Sequence, residues 1–120
     1  MRWIQAGIGV AVLAMAISVG TAAQKPCLFG GDATPEQKVR RSQLVGLARE
    51  VNNQQVRHKA SGYLTMDGLT LTQPVPEGVE IKMAADAKGY SFSIVDTTDG
   101  CRAGVFSNQA GIIYTGQALQ

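Results

Sequence analysis

The chain of 120 residues passes through four hydrophobic patterns in succession. An apolar run without charges extends over residues 4–19, and a short stretch rich in Gly and Pro lies beyond it. Apolar positions then recur at spacings of three and four, and from residue 79 onward apolar and polar residues alternate. Spacings of three and four are typical of one face of an α-helix, and alternation is typical of a half-buried β-strand. The pattern therefore predicts a helix followed by strands, behind an apolar leader.

The first 23 residues have the organisation of a secretory signal peptide. Arg2 supplies a positive charge, residues 4–19 form the apolar segment, and the small residues up to Ala23 resemble a cleavage site. We predict cleavage after Ala23, which would place the mature protein in the periplasm or outside the cell. The alternative is a retained membrane anchor, because a helix over residues 3–23 would be about 31 Å long, close to the thickness of a bilayer core. Contact with a membrane is expected only in that case.

A helix is predicted from Pro35 to about Lys59. Thr34 suits the N-cap, and Gln37 follows it at the spacing of a capping box. The apolar side chains expected on the buried stripe are Leu44, Leu47, Ala48, Val51 and Val56, with Val39 and Val45 beside them. Residues 24–34, which contain a proline and a Gly pair, are predicted to form an irregular lead-in before the helix.

Four short strands are predicted after the helix. Their apolar positions are Val79, Ile81 and Met83; Tyr90, Phe92 and Ile94; Ala103, Val105 and Phe106; and Ile112, Ile113 and Tyr114. The segments between them have hairpin length and each ends in Gly, which is typical of antiparallel neighbours. Residues 63–78 are predicted to be a connecting loop, with one helical turn or short strand near residues 69–72. The expected fold class is α+β: one long N-terminal helix packed on one face of a four-stranded antiparallel β-meander, in a single domain over residues 35–120.

The composition argues against several classes of function. The 11 Lys and Arg residues nearly balance the 9 Asp and Glu residues, and no basic run of five or more occurs, so we expect no nucleic-acid binding. Two cysteines and one histidine are too few for a closed zinc site. Residues 25–60 carry seven basic and three acidic residues, whereas residues 61–120 carry three basic and six acidic ones. This dipolar division indicates either a solvated helix face or a surface for head-to-tail contact or for docking on an anionic surface.

The two cysteines, Cys27 and Cys101, are predicted to form a disulfide. Export would bring both into an oxidising compartment, where an even pair in a small domain seldom stays reduced. The bond would tie the lead-in to the predicted sheet. A reactive thiol is the alternative, but the chain has no Cys-x-x-Cys spacing.

No catalytic, cofactor-binding or metal-binding residue is predicted. His58, the only histidine, lies between two basic residues and has no carboxylate beside it in the predicted helix, which does not suit a catalytic base. Asp96 and Asp99 are interpreted as turn residues, since the twelve-residue loop pattern of a calcium site is absent. Five aromatic residues fit either a stacking platform or, as we expect, a core face: Tyr63, Tyr90, Phe92, Phe106 and Tyr114. We therefore expect a protein without enzymatic activity and without a cofactor.

Short motifs in the second half of the chain resemble the globular domain of bacterial type IV pilins and type II secretion pseudopilins. In chain order, they are the helix end at residues 48–55, Ser61-Gly62-Tyr63, the Pro-x-Gly-Val-x-Ile passage at residues 76–81, Gly89-Tyr90, Cys101, and Gly111-Ile112-Ile113-Tyr114. The resemblance spans about residues 35–115. It implies a helix packed on an antiparallel sheet and a non-enzymatic subunit of an extracellular or periplasmic filament.

The N-terminal segment departs from the pilin pattern. Pilins have a Phe directly after the cleavage site and a Glu at the fifth mature position, but residues 6–10 contain neither. The breakers in residues 26–31 would also interrupt the continuous hydrophobic helix through which pilins polymerise. We expect an exported, pilin-like structural or interaction protein of the bacterial envelope that binds protein partners or itself. The alternative is a small periplasmic or extracellular ligand-binding or inhibitor domain that uses residues 63–78 and the sheet.

Overall fold

The computed structural model describes residues 26–117, which form one α-helix and a four-stranded sheet. Helix α1 spans Pro35–His58, and the strands are β1 Val79–Ala85, β2 Tyr90–Asp96, β3 Ala103–Asn108 and β4 Tyr114–Gln117. The predicted α+β class, with one long helix and an antiparallel four-stranded sheet, is therefore confirmed. The helix is not N-terminal, because it begins at residue 35 behind the lead-in. The predicted signal peptide, the first two residues of the predicted lead-in and the last three residues of the predicted domain lie outside the described residues.

Local hydrogen bonds define the start of α1. The Gln37 amide donates to Oγ1 of Thr34 over 3.1 Å, and the Thr34 amide donates to Oε1 of Gln37 over 2.8 Å. This reciprocal capping box is the predicted one. At the other end α1 stops at His58, and a 3₁₀ turn over Lys59–Ser61 leads into Gly62, whose φ of 99° suits glycine.

One side of α1 packs on β2 and β3. Four of the predicted stripe residues are buried: Leu44, Leu47, Ala48 and Val51. Val56, predicted to belong to the same stripe, is instead 69% exposed, so that part of the prediction is wrong. At 3.6 residues per turn, counting from Leu44 brings position 55 rather than 56 to the core, and Gln55 is fully buried there.

The strands form an antiparallel meander in the order β1-β2-β3-β4. The register pairs Ile94 of β2 with Val105 of β3, and both side chains are fully buried on the inner face, toward α1. The sequence predicts a fourth strand from Ile112, but β4 begins at Tyr114. The Ile112 carbonyl accepts a hydrogen bond from the Ser107 hydroxyl, so Ile112 belongs to the turn rather than to the strand ladder.

The core lies between α1 and the inner face of the sheet. Leu28 of the lead-in is 1% exposed and belongs to this core. Leu69 and Leu71 of the loop pack against the core. The loop has a 3₁₀ turn at Met66–Gly68, just before the predicted position at residues 69–72. Across residues 26–117, no helix has both the length and the apolar character needed to cross a membrane.

Candidate functional site

The predicted disulfide joins Cys27 to Cys101, with Cα atoms 5.6 Å apart. It connects the lead-in to the turn between β2 and β3. Asp99, in the same turn, strengthens the junction, because its carboxylate accepts hydrogen bonds from the Leu28 amide at 3.2 Å and from the Ala103 amide at 3.1 Å. Disulfides persist in oxidising compartments, so this bond is compatible with an exported protein.

Asp96, interpreted from the sequence as a turn residue, is 1% exposed and binds α1 as well as its own turn. Its carboxylate accepts hydrogen bonds from Nε and Nη2 of Arg40 at 2.5 and 3.0 Å, and from the amide and hydroxyl of Thr98 at 2.9 and 2.6 Å. Burial alone would raise the pKa of Asp96, but the hydrogen bonds from Arg40 and Thr98 hold that pKa below its ordinary value. Asp96 therefore stays ionised and anchors α1 to the end of β2.

Candidate residues for metal binding or catalysis are not brought together. Over the described residues, no group of three or more His, Cys, Asp or Glu side chains is placed to hold a metal ion. His58 is exposed at the end of α1 and lines a surface hollow with Glu50 and Arg57. The described residues that line this hollow include Thr70 and Thr72 but neither serine nor cysteine.

Two buried glutamines of α1 hold the loop that follows the helix. Gln55 accepts a hydrogen bond from the Leu64 amide at 2.7 Å, and its Nε2 donates to the Leu64 carbonyl at 2.8 Å. Gln54 makes the same pair of bonds with the amide and carbonyl of Thr70. Each side-chain amide thus satisfies both main-chain groups of one loop residue. Neither glutamine was predicted to be buried, although the 3.6-residue period places both on the core side of α1.

The aromatic residues expected on one core face lie on both faces of the sheet. Tyr90 and Phe92 are buried on the inner face, and Tyr63 packs on Tyr90 with ring centroids 5.0 Å apart. Phe106 and Tyr114 are register partners on the outer face, and Tyr114 is 55% exposed. The prediction is wrong for these two because successive side chains of a strand point to opposite faces, and the residue before Phe106 points inward.

A row of register partners crosses the outer face of all four strands: Lys82, Ser93, Phe106 and Tyr114. Ser93 is small and its neighbours in the row are long, so the sheet surface forms a groove along β2. The groove has a volume of about 540 Å³. Its rims carry the ammonium group of Lys82 and the aromatic rings of Phe106 and Tyr114, and Ser91 adds a second hydroxyl beside that of Ser93. Such a surface can hold part of another molecule through apolar contact and hydrogen bonds.

A second hollow, with a volume of about 370 Å³, continues this groove toward the β2–β3 turn. It shares Lys82 and Phe106 with the groove and adds Glu80, Val95 and Arg102. Neither hollow was predicted from the sequence. Strand alternation predicts which residues share a face, but it does not predict that the outer face is concave.

The groove and its continuation therefore form the candidate site, built from side chains on all four strands. We call it the outer groove. It faces away from α1, and its lining combines charged, hydroxyl and aromatic groups. Comparison of the chain with protein-family models, with curated proteins and with solved structures gives no match.

Proposed function

We propose that this chain is an exported, pilin-like protein without enzymatic activity that joins, caps or accompanies an assembly of the bacterial envelope. The order of elements, one helix followed by an antiparallel meander, supports this function together with the pilin-like motifs. The observation that carries the proposal is the outer groove. One face of the sheet is covered by α1, and the other presents aromatic and charged side chains to solvent.

Exposed apolar side chains beside the groove support contact with protein. Ile112 and Tyr114 are each 55% exposed and lie close together at the β4 edge of the sheet. Burial of apolar surface contributes about 25 cal/mol per Å², so covering this edge would favour association. Val39 and Val56 of α1 are also exposed, at 62% and 69%, but at about 1.5 Å per residue they lie about 26 Å apart and are separate apolar positions. Helix face and sheet edge are the surfaces we expect such a protein to use.

Disulfide bonding supports the exported location. Closing a loop of about 75 residues stabilises a fold by roughly 4 kcal/mol in the chain-entropy model. A domain of this size has a thin core, so the bond contributes a large part of its stability. That contribution is available only in an oxidising compartment, such as the periplasm or the extracellular space.

A small ligand-binding or inhibitor domain is the second candidate, and the volume of the outer groove favours it. About 540 Å³ is within the range of pockets for small molecules. In that case the ligand would bind on the sheet rather than on residues 63–78, because Gln54 and Gln55 hold that loop against α1.

Sedimentation velocity of the protein isolated from its host, over a range of concentrations and salt, tests the proposal. For the structural function we expect the sedimentation coefficient to rise with concentration and to fall with salt, because charged surfaces contribute to the contact. Tyr114→Ser should weaken this association. Val75→Ser, which removes an apolar side chain that is 42% exposed elsewhere, should not.

Absence of self-association would favour the second candidate function, a small ligand-binding or inhibitor domain. A monomer at every concentration and salt, whose melting temperature rises when a small ligand is added, would contradict the structural function. Equal association of Tyr114→Ser and wild type would exclude the β4 edge as the contact.

A further inference from the structure

Arg102 has a backbone conformation that side chains rarely adopt. Its φ is 51°, and it is the one non-glycine residue with positive φ in the described part of the chain. Its amide donates to the Asp99 carbonyl at 2.9 Å, which closes the turn before β3. Glycine or asparagine would adopt this positive φ with less strain than arginine. The turn therefore explains the backbone but not the choice of an arginine side chain.

The Arg102 side chain has an unsatisfied donor. Its Nε is buried, and no acceptor lies within hydrogen-bond distance among the residues described. Every other buried side-chain nitrogen or oxygen over residues 26–117 has a partner. Because Nε is itself buried, a partner molecule would meet the terminal nitrogens of the guanidinium, and an arginine donor that meets a carboxylate makes one of the stronger hydrogen bonds in proteins.

The surroundings of Arg102 define which acceptor would fit. The side chain lines the hollow of about 370 Å³ together with Lys82, Glu80, Val95 and Phe106. Among the described residues, two cations and one carboxylate line this hollow, which gives this lining a single positive charge. A group with one negative charge therefore suits it better than a doubly charged phosphate, which Glu80 would repel. Val95 and Phe106 would contact the carbon atoms that carry that group.

We propose that Arg102 and Lys82 bind one carboxylate of an acidic side chain in an extended peptide segment of a protein partner. The guanidinium would donate hydrogen bonds to the two carboxylate oxygens, and Lys82 would add a point charge. An extended segment fits because the hollow opens into the groove along β2, where Ser91 and Ser93 can bind polar groups of the peptide. This inference rests on the proposed interaction function and names the chemistry of the partner.

Binding of a capped peptide measured by NMR tests the proposal on the full, disulfide-bonded protein. The probe is acetyl-Thr-Val-Glu-Val-Thr-amide, and the matched control peptide has Gln in place of Glu. We expect the Glu peptide to bind about tenfold or more tightly than the Gln peptide, and less tightly as salt is added. The Nε–H resonance of Arg102 should shift on binding, because a carboxylate on the terminal nitrogens changes the electronic environment of the whole guanidinium.

Arg102→Gly separates binding from folding. Glycine relieves the positive φ, so the melting temperature should stay equal or rise, while affinity for the Glu peptide should fall by about tenfold or more. Lys38→Gln is the matched control. It removes one exposed cation from α1, on the other side of the sheet, and should leave peptide affinity unchanged.

Several results would overturn the proposal: no saturable binding of the Glu peptide, equal affinity for the two peptides, or unchanged affinity in Arg102→Gly. If acetate shifts the Arg102 resonance with an affinity equal to that of the peptide, the site takes small carboxylic acids and the peptide part is wrong. The sedimentation test is independent of this carboxylate. Concentration-dependent association without peptide binding would contradict the Arg102 site and leave the proposed function standing.

Discussion

Replacement of Arg40 by Met tests the anchor between α1 and the sheet. The variant removes both hydrogen bonds from the guanidinium to Asp96 and leaves the carboxylate, 1% exposed, with only the two donors of Thr98. Removing one partner of a buried ion pair costs about 3–5 kcal/mol. The Arg40 side chain is 26% exposed and the Thr98 bonds remain, so we expect a loss near the lower end, about 3 kcal/mol.

The pH dependence of this loss identifies its electrostatic origin. The folded-state pKa of Asp96 lies below its ordinary value. The stability it contributes is therefore fully present above the unfolded pKa of about 3.9 and is lost as the pH falls through the folded pKa. The difference between wild type and Arg40→Met should be about 3 kcal/mol near pH 7 and should shrink as the pH falls toward 2, because wild type then loses the contribution of the ionised carboxylate, whereas loss of the hydrogen bond from Arg40 to the Glu77 carbonyl persists.

Urea unfolding of the oxidised proteins, followed by far-UV circular dichroism, measures both values. The control is Lys38→Met, which removes an exposed cation from the same helix and should change the free energy of unfolding by less than about 0.5 kcal/mol. A loss below about 1 kcal/mol for Arg40→Met near pH 7, or an equal loss at both pH values, would refute this account of the pair.

Three further predictions concern stability. Cys101→Ser opens the link to the lead-in and should lower the free energy of unfolding by up to about 4 kcal/mol, measured by urea unfolding without reductant. Gln55→Ala leaves the Leu64 amide and carbonyl without their partners, at a cost of about 2–4 kcal/mol, and should accelerate hydrogen exchange of the Leu64 amide. Gly104→Ala would place a Cβ 2.6 Å from a main-chain oxygen of β2 and should lower the melting temperature, whereas Gly100→Ala, with no atom within 4 Å of the added Cβ, should change it little.

Local features of the fold were predictable because they depend on residues close together in sequence. The capping box joins Thr34 and Gln37, three positions apart, so the residue types alone indicate it. The three hairpins follow from alternation and from a Gly in each connecting segment. The Cys27–Cys101 bond was predictable for another reason: the chain has only two cysteines, so their pairing needs no knowledge of the fold.

Predictions failed where burial depends on what lies opposite a residue. Val56 was expected in the core by its hydrophobicity, but helix geometry brings Gln55 there, where loop groups satisfy its amide. Phe106 and Tyr114 were expected inside for the same reason, but the register of β3 and β4 places both on the outer face. Hydrophobicity indicates a preference for burial, and the register decides which face receives the side chain.

The sequence alone determined the α+β class, the start of the helix, the number of strands and the disulfide pair. These follow from periodicity, from caps and turns formed by near neighbours, and from a count of cysteines. Only the tertiary structure brought Arg40 to Asp96, 56 positions away, and aligned Arg102, Lys82 and Phe106 around one hollow. Such groups meet because the sheet register and the packing of α1 decide which distant side chains become neighbours, and residue types do not specify those contacts.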